Sequence, residues 1–416
     1  MKDTFHQFHR KKLMVNANPA INRVGDKERE YVEDVLRTQF KSSSGATYMR
    51  KLENAFAQRY QSKFAISCVN GTATMHASLE AMGVGAGDEV IVPPLTMSAT
   101  TFAVLQANAT PVFADVDLDT FQICPVSIEQ KITTKTKAII TVGLFGLSPD
   151  MDPIMELALS HGLKVIEDNA ECFLGEYKGR LAGTLGHCAS FSFQSSKHLT
   201  SGEGGMILTD DLELAEGIRR VQSLGYAGVG ATKAKISKAD IQNPDYSRHV
   251  SMGWNYRMPE LCCAVALAQV ERIDDLVDVR IKSAQIFEDA TREFHHWFRP
   301  QLVGPDYKNS YWTWVCKSMH DTASWLEIRD AFVSNGGDGV YAAWKLTYLE
   351  PMFTNMSLLG RQNFIDEKNM NMYKVGLCPN AEYLQGRLFQ FKTNYWNLND
   401  AEKQAEILHA TLKAFN

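Results

Sequence analysis

The sequence contains no long apolar run. No window approaches the roughly 20 apolar residues that a helix needs to cross a bilayer. The N-terminal stretch MKDTFHQFHRKKLMV also lacks the apolar core of a secretory signal peptide. The sequence therefore predicts a cytoplasmic protein that has no membrane partner.

Long runs of like charge and paired-cysteine motifs are also missing. The net charge is −5, and no basic tail or long run of like charge offers a surface to nucleic acid, so we expect no nucleic-acid partner. The 8 cysteines are scattered, and none belongs to a CxxC pair. This pattern predicts reduced thiols in the core rather than disulfides or a zinc site, and we expect no metal.

The central part of the chain has a regular alternation. Strand-length apolar runs stand between helical patterns from about residue 60 to 225; the runs are 89–92, 111–114, 138–142 and 164–166, and the helical patterns are 73–82, 98–108 and 153–161. Such alternation predicts a largely parallel α/β sheet. Sheets of this kind place their chemistry at the carboxyl ends of the strands.

The flanking regions have a different character. Residues 26–60 have a helical pattern, residues 227–250 are polar and predict a long loop, and an apolar helix is expected from Trp254 through Val279. From about residue 285 the pattern changes to separated helices and strands with many aromatic residues. With 416 residues available, we predict two domains: residues 1–284 form an N-terminal segment and a large α/β domain, and residues 285–416 form a smaller α+β domain.

The first segment that suggests chemistry is CVNGTAT, residues 68–74. A strand enters a Gly-Thr turn and continues into an Ala-rich helix. The free N–H groups at the start of a helix, together with a hydroxyl at its cap, form a site for phosphate. A plain helix cap produces the same pattern, so this segment alone is consistent with both interpretations.

The second segment is VIEDNAE, residues 165–171, in which two acids close an apolar strand. At least one carboxylate is expected to point into the mouth of the sheet, where a buried charge needs a partner. A protonated pyridine nitrogen is one such partner. Acids at strand ends also serve as metal ligands and helix caps.

The third segment, FSFQSSKHLTSGEGGM, residues 191–206, contains a single lysine, Lys197, among small and apolar residues. Isolated lysines are usually solvated. Here a glycine-rich turn follows, which indicates a close approach of backbone or ligand. Lysines withdrawn from water are good Schiff-base nucleophiles. The GEGG run has neither the Lys-Ser/Thr pair of a Walker loop nor the spacing of a dinucleotide-binding motif.

Taken in order, these segments resemble the DegT/StrS family of sugar aminotransferases that depend on pyridoxal 5′-phosphate (PLP). The resemblance runs from about residue 21 to the C-terminus and is strongest over 45–275; it is carried by NGTAT, PPLTMSATTFAV, ATPVFADVD, VIEDNAE, YKGRLAGTLG, FSFQSSK, TSGEGG and WNYRMPE. It implies the type I PLP-dependent transferase fold: an α/β large domain with a mostly parallel seven-stranded sheet between helices, and a smaller α+β C-terminal domain.

The resemblance also implies roles for single residues. Lys197 occupies the Schiff-base position, and Asp168 matches the carboxylate that pairs with the pyridine nitrogen. Phosphate ligands are expected at three positions: Gly71, Thr72 and Ser192. Asn255 matches an asparagine that reaches the phosphate from a neighbouring subunit, so the resemblance implies a homodimer with shared active sites.

Two positions near the implied cofactor differ from the family pattern. Glu171 stands where the family usually has Gln or His near the hydroxyl of the ring, and Met97 stands where an aromatic residue usually stacks on the ring. A thioether also packs on a ring face, so we still expect PLP to bind.

The resemblance implies L-glutamate as amino donor and a keto- or aldehyde-sugar as acceptor. Arg180 and Arg257 are candidates for binding the carboxylates of the donor, since guanidinium pairs bidentately with carboxylate. Trp344 and Lys345 are candidates for contacting the acceptor, although core packing and a solvated surface are the simpler interpretations of these two residues.

Within the family, the sequence most resembles the members that act on an eight-carbon sugar acid, and this resemblance implies 8-amino-3,8-dideoxy-manno-octulosonate for lipopolysaccharide as product. A nucleotide-linked keto-hexose is the alternative acceptor. Two further hypotheses are a PLP-dependent sugar dehydratase, in whose relatives His replaces the lysine, and a non-catalytic regulatory protein on the same fold. Lys197 argues against the dehydratase, but His198 is its direct neighbour.

Overall fold

The computed structural model describes residues 21–40, 47–231, 236–355 and 373–416. The stretch searched for a signal peptide therefore lies outside the described residues. In the part of the chain that is described, no helix is long and apolar enough to cross a bilayer.

A seven-stranded sheet, here called the large sheet, organises the first half of the chain. Its strand order is β1-β9-β8-β5-β4-β2-β3, and only β9 runs antiparallel to its neighbours. The strands are β1 (Phe64–Cys68), β2 (Glu89–Val92), β3 (Thr110–Phe113), β4 (Thr136–Val142), β5 (Lys164–Asp168), β8 (Cys188–Ser192) and β9 (Gly205–Thr209). This architecture confirms the predicted fold class.

Both faces of the large sheet are buried, because successive side chains of a strand point to opposite faces. In β4, Ile140 packs into the core on one face and Ile139 into the core on the other. The helices that follow the strands in the chain are α3 (Gly71–Ala81), α4 (Ala99–Gln106), α5 (Pro125–Lys131), α6 (Met151–His161) and α7 (Leu212–Gln222). The helices α3, α4 and α6 lie close to the three predicted helical patterns, whereas α5 and α7 were not predicted.

The helical pattern predicted over 26–60 corresponds to two helices rather than to one continuous helix. Two helices are present, α1 (Asp26–Arg37) and α2 (Tyr48–Tyr60). The chain leaves α1 through Gln39 and Phe40, whose φ angles are 53° and 56°. A left-handed backbone cannot continue a right-handed helix, so the two segments are separate.

The predicted helix from Trp254 to Val279 is also divided. It consists of α9 (Glu260–Val270) and α10 (Ile273–Thr291), with the helical pattern interrupted after Val270. The predicted domain boundary at 284/285 lies within α10. The division of the chain into two domains stays a prediction.

A four-stranded antiparallel sheet, here called the C-terminal sheet, follows α10. Its order is β10-β12-β14-β13, with β10 (Phe298–Pro300), β12 (Thr313–Ser318), β13 (Val340–Ala342) and β14 (Leu388–Lys392). Its aromatic core includes Trp314 and Phe391, and it packs against α10 and the last helix. The helices of this region are α11 (Trp325–Ser334), α12 (Pro351–Thr354), α13 (Pro379–Gln385) and α14 (Leu398–Lys413).

A small three-stranded sheet connects the two halves of the chain. Its strands are β6 (Glu176–Tyr177), β7 (Arg180–Leu181) and β11 (Tyr307–Lys308), and β11 pairs with β6. The predicted loop at 227–250 is largely irregular where described, but it contains the short helix α8 (Lys238–Gln242). Ser237 caps α8 by accepting a hydrogen bond from the Asp240 N–H, an N-terminal signal that the sequence displays.

Candidate active site

A cavity of about 1050 Å³ opens at the carboxyl ends of β5 and β8. Parallel strands end at the same edge of a sheet, and the following loops leave a crevice there. The cavity brings together seven of the predicted cofactor-binding residues: Gly71, Thr72, Met97, Asp168, Glu171, Ser192 and Lys197. Residues of the C-terminal sheet close its other side.

The N-terminus of α3 forms one end of the cavity. Asn70 caps the helix, and its side chain accepts the Ala73 N–H at 2.8 Å. The N–H groups of the first helical turn have no acceptor within the helix, and Gly71 and Thr72 line the cavity at this turn. A Cβ at position 71 would lie 2.9 Å from the Ser192 Cβ, so only glycine allows strand β8 to approach so closely.

Asp168 ends β5 and is buried. One of its oxygens accepts the Thr100 hydroxyl at 2.8 Å, and the other accepts the Ala170 N–H at 3.2 Å. Burial raises the pKa of this carboxyl, and these two hydrogen bonds oppose the shift. Thr100 is a site residue that sequence reasoning missed, and nothing in the sequence distinguishes it from the neighbouring Thr101.

Glu167, the other acid of the pair, does not line the cavity. Its carboxylate accepts three backbone N–H groups at 2.6–2.7 Å, from Gly183, Leu185 and Gly186. This bonding holds the turn between β7 and β8. The alternation of side chains along β5 thus separates a structural acid from an acid that faces the cavity.

The Lys197 amine lies beside a second buried carboxylate. Its Nζ is 3.1 Å from Glu171 Oε1, and both side chains are nearly buried, with 12% and 5% exposed. Glu171 Oε2 accepts the Phe145 N–H at 3.2 Å. Burial raises the pKa of the Glu171 carboxyl, and the neighbouring lysine charge opposes that shift. Lys197 Nζ also lies 4.3 Å from the centre of the Trp312 ring.

Arginines hold the main chain of Lys197 from behind. Arg280 Nη2 donates to the carbonyls of Ser196 and Lys197, each at 3.0 Å. Arg23 donates to the Lys197 carbonyl at 2.9 Å, and the Trp312 indole N–H donates to the Ser196 carbonyl at 2.9 Å. Sequence reasoning missed these residues. The signal for Arg280 is its helical spacing from the apolar residues Leu276, Val277, Ala284 and Phe287, which marks it as a buried arginine.

His198 is fully buried and faces away from the cavity-lining side chains. Its Nε2 lies 2.9 Å from the Ser310 carbonyl. Burial, together with the charge of Arg280, holds the pKa of this imidazole well below its usual range. The side chain in the cavity is therefore that of Lys197 rather than that of His198.

Several residues of the second half form the opposite wall, and sequence reasoning missed most of them. Tyr341, Gln390, Lys392 and Asn394 line the cavity here. Lys392 forms an ion pair with Asp338. Met97 is 50% exposed on the large-sheet side of the cavity, as the prediction of a ring-packing residue requires.

Trp344 lines the cavity and is partly buried. Its indole lies nearly parallel to the rings of Phe145 and Trp312, with ring centroids 6.2 Å and 5.9 Å away and interplanar angles of 15° and 13°. Stacking of this ring on a sugar or base stays a prediction.

Four other predicted residues do not line this cavity. Arg180 and Arg257 are exposed, and Arg180 donates to the Thr184 carbonyl at 2.8 Å. Lys345 is exposed next to Trp344. Asn255 is exposed as well, so it is available to a neighbouring subunit. The expected roles of Arg180, Arg257 and Lys345 find no support in the geometry of a single chain, and the role of Asn255 stays a prediction.

The residues of the cavity fit PLP. The turn at Gly71 presents helix N–H groups and hydroxyls to a phosphate. Asp168 is a buried acid that has neutral hydrogen-bond donors but no ion-pair partner within 4.0 Å among the described residues. The protonated ring nitrogen of PLP would supply the missing cationic partner. Lys197 supplies the amine. No group of His, Cys, Asp and Glu in the described ranges is arranged to hold a metal ion.

Comparisons with known proteins agree with this chemistry. The GDP-perosamine synthase of Escherichia coli O157:H7 is 39% identical over 286 residues, which cover 69% of this chain and 73% of that protein. The GDP-perosamine synthase of Caulobacter vibrioides is 42% identical over 261 residues, which cover 63% of this chain and 66% of that protein.

The fold is shared with solved structures. An aminotransferase from Psychrobacter cryohalolentis has a TM-score of 0.83 and 29% identity, and the match covers 95% of this chain and 98% of that one. Residues 22–357 match the DegT/DnrJ/EryC1/StrS aminotransferase family. The chain therefore belongs to this family of sugar aminotransferases, and it is a PLP-dependent aminotransferase.

Proposed function

We propose that this enzyme transfers the amino group of L-glutamate to a nucleotide-linked keto-sugar, with Lys197 as the lysine that binds the cofactor and moves the proton. The observation that carries this proposal is the position of the Lys197 amine, which lies in the cavity with the carboxylates of Asp168 and Glu171. A dehydratase is expected to have His in place of this lysine, and His198 is buried away from the cavity.

The chain's own residues divide the work of holding the cofactor. Gly71, Thr72 and Ser192 would hold the phosphate, and Asp168 would hold the ring nitrogen in its protonated form. Met97 would pack on a face of the ring. When bound, PLP supplies an electron sink that makes the α-hydrogen of an amino acid acidic.

Lys197 is the group that moves the proton. Its Nζ accepts the proton from the α-carbon of the donor and later returns it to carbon, so that the residue acts alternately as general base and general acid. The clamp formed by Arg280, Arg23 and the Trp312 N–H fixes the main chain of Lys197, which leaves the side chain as the moving part. Positioning of this kind reduces the entropy that the reaction must lose.

The acceptor is proposed from the relatives rather than from the cavity. Two of them carry the name GDP-perosamine synthase, and this supports a nucleotide-linked sugar ahead of the octulosonate expected from the sequence. Tyr341, Gln390, Lys392 and Asn394 lie on the wall that an acceptor would meet. A homodimer in which Asn255 reaches the partner's phosphate site is part of the same proposal.

The experiment has two stages. PLP-loaded protein is first reduced with borohydride, which converts a lysine-bound carbonyl compound into a stable secondary amine, and its peptides are mapped by mass spectrometry. The proposal expects the label on the peptide that contains Lys197. The absorbance band of the bound cofactor is then followed after L-glutamate is added; it should shift in the wild type, whereas Lys197→Ala should lack the band.

Candidate acceptors are tested on the glutamate-treated enzyme. Restoration of the original band by a GDP-linked 4-keto-hexose, but not by the oxidised octulosonate, supports the proposed acceptor. The opposite result returns the assignment to the eight-carbon sugar acid. A label on any lysine other than Lys197 overturns the proposed function at its centre.

A further inference from the structure

The Lys197 amine occupies a defined site between a carboxylate and an aromatic face. It lies 3.1 Å from Glu171 Oε1 and 4.3 Å from the centre of the Trp312 ring. We propose that Glu171 and Trp312 form a docking site for the ammonium form of Lys197, which the lysine takes whenever it carries a proton. This inference rests on the proposed function of Lys197 and deepens it.

Glu171 is built to be a fixed counter-charge. The carboxylate is buried, and its second oxygen accepts the Phe145 N–H at 3.2 Å. Phe145 itself has a φ of 63°, a left-handed conformation that is uncommon for a bulky side chain and that here directs its N–H toward Glu171. A carboxylate held in this way is already oriented before the lysine becomes charged, so ion pairing requires little reorganisation.

Trp312 is held in place by two contacts besides the one with Lys197. Its indole N–H donates to the Ser196 carbonyl at 2.9 Å, and one ring face stacks on Trp344. Trp344 is stacked in turn on Phe145. The Lys197 amine lies over the Trp312 ring, and a cation over an indole face is attracted by the ring quadrupole.

The other charged groups around the site do not substitute for Glu171. Asp168 faces the same cavity, but its oxygens accept hydrogen bonds from Thr100 and Ala170. Arg280 lies behind the main chain of Lys197 and adds positive charge, and His198 is buried with its pKa lowered by that burial. Glu171 is therefore the carboxylate that pairs directly with the amine.

The proton step explains why such a site is useful. When a C–H bond of the donor breaks, its proton forms an N–H bond on Lys197, and the neutral amine becomes an ammonium. The carboxylate of Glu171 and the face of Trp312 lower the free energy of that cation. The same N–H bond breaks when the proton returns to carbon, so the site acts in both half-reactions.

The first test uses the cofactor-free protein. Lys197 is acetylated with a low concentration of acetic anhydride at a series of pH values, and the rate at this one residue is measured by peptide mass spectrometry. Only the neutral amine reacts. Glu171→Gln keeps the shape of the side chain and removes its charge, so acetylation of Lys197 at neutral pH should become roughly tenfold faster or more.

Glu203→Gln is the matched control, because Glu203 lines the same cavity, is exposed and has no ion pair with Lys197 among those described. It should leave the rate at Lys197 within about twofold. An unchanged or slower rate in Glu171→Gln overturns the inference.

The aromatic half of the site is tested by a graded pair. Trp312→Phe and Trp312→Leu both remove the hydrogen bond to Ser196, but only the leucine variant also removes the aromatic face. Acetylation of Lys197 should therefore be fastest in Trp312→Leu, slower in Trp312→Phe and slowest in the wild type. Equal rates in the two variants exclude a contribution of the ring face.

A second readout on the loaded enzyme separates this inference from the proposed function. Borohydride should label Lys197 in the wild type and in Glu171→Gln alike. In a single turnover with L-glutamate, the pH dependence of the band shift should move in Glu171→Gln and stay unchanged in Glu203→Gln. Failure to label Lys197 in the wild type removes the proposed function; normal labelling with identical pH dependence in the variants removes only the docking site.

Discussion

The large sheet and the C-terminal sheet use buried side chains in different ways. The mostly parallel large sheet ends at a cavity and places the buried polar residues Asp168 and Ser192 at the ends of neighbouring strands. The antiparallel C-terminal sheet buries a dense aromatic cluster around Trp314 and Phe391. It reaches the cavity mainly through residues beside its strands or on its outer strand, such as Trp312 and Tyr341.

This comparison indicates that the large sheet supplies the reactive groups and that the C-terminal sheet supplies stability and one wall of the cavity. Parallel strands gather their carboxyl ends at one edge, so reactive groups that are distant in sequence meet there. An antiparallel sheet with one strongly apolar face contributes stability and a wall. Substitutions in the two regions should therefore separate catalysis from folding, and the predictions below test that separation in order of decreasing effect.

The largest effect is expected at Lys197. Replacement by Ala removes both the covalent attachment and the proton carrier, so amino transfer from L-glutamate should fall by about 10⁴-fold or more. Lys164→Ala is the control, because Lys164 is exposed at the opposite end of β5. Its rate should stay within about twofold. Residual activity above one tenth in Lys197→Ala would contradict the assignment.

Trp314→Ala should cost stability rather than chemistry. The ring is 1% exposed, packs against Phe287 and Phe391, and donates to Glu288 at 3.0 Å. The free energy of unfolding in urea should fall by about 3–5 kcal/mol. The folded fraction should keep the absorbance band of the bound cofactor. Leu326→Ala, at an exposed position, should change stability by no more than about 0.5 kcal/mol.

The neighbouring acids Glu167 and Asp168 should affect different properties, stability for Glu167 and catalysis for Asp168, although both lie in β5. Glu167→Gln places an amide opposite backbone donors and should lower the free energy of unfolding by about 1–3 kcal/mol. Asp168→Asn should lower the rate on the order of 10²-fold, because a fixed charge at the reacting ring is lost. The transamination rate and the urea midpoint of unfolding are measured for both variants. Equal losses of rate would contradict the assignment of a structural role to Glu167 and a catalytic role to Asp168.

The sign of the pH dependence at Asp168 follows from its shift. Burial raises the pKa of this carboxyl in the folded, cofactor-free protein above its unfolded value. The group therefore favours folding below the unfolded pKa, and that contribution is lost as pH rises through the folded pKa. Asp168→Asn should accordingly unfold at a temperature at or above that of the wild type at neutral pH, with the difference shrinking in acid.

The smallest effect is expected at His198, which connects the two regions through the Ser310 carbonyl. Its pKa is lowered in the folded protein, so stability is complete above the unfolded pKa of about 6.5 and declines as pH falls. The decline should be about 1 kcal/mol per pH unit. His198→Gln, which can still donate to Ser310, should flatten the dependence of urea midpoints on pH between about 8 and 5.

Local patterns were sufficient for most of the large sheet and for one side of the site. Apolar runs predicted four of its seven strands, β2 to β5. The segments around Gly71, Asp168 and Lys197, through the family resemblance, predicted side chains that the fold brings into one cavity. These predictions succeed because the carboxyl ends of parallel strands lie at the same edge of the sheet. Helix lengths were less predictable, because the helices end at Arg37 and Val270 in turns that the spacing of apolar residues does not reveal.

The opposite side of the site was not predictable in this way. Trp312, Tyr341 and Lys392 come from three segments of the second half, and no shared motif connects them with Lys197. Trp344 is a second example, because only the tertiary structure shows that its ring packs beside Phe145 and Trp312.

The sequence by itself indicated the fold class through its alternation of strand and helix patterns. Its resemblance to a known family implied the cofactor and the role of Lys197. Only the tertiary structure decided which acid of the pair at 167–168 faces the cavity and what surrounds the Lys197 amine. The alternation of side chains along β5 selects Asp168 over Glu167 once the sheet is assembled. The contact of Lys197 with Glu171 and Trp312 exists only when segments from both halves of the chain pack together, and such contacts depend on three-dimensional packing rather than on any local pattern.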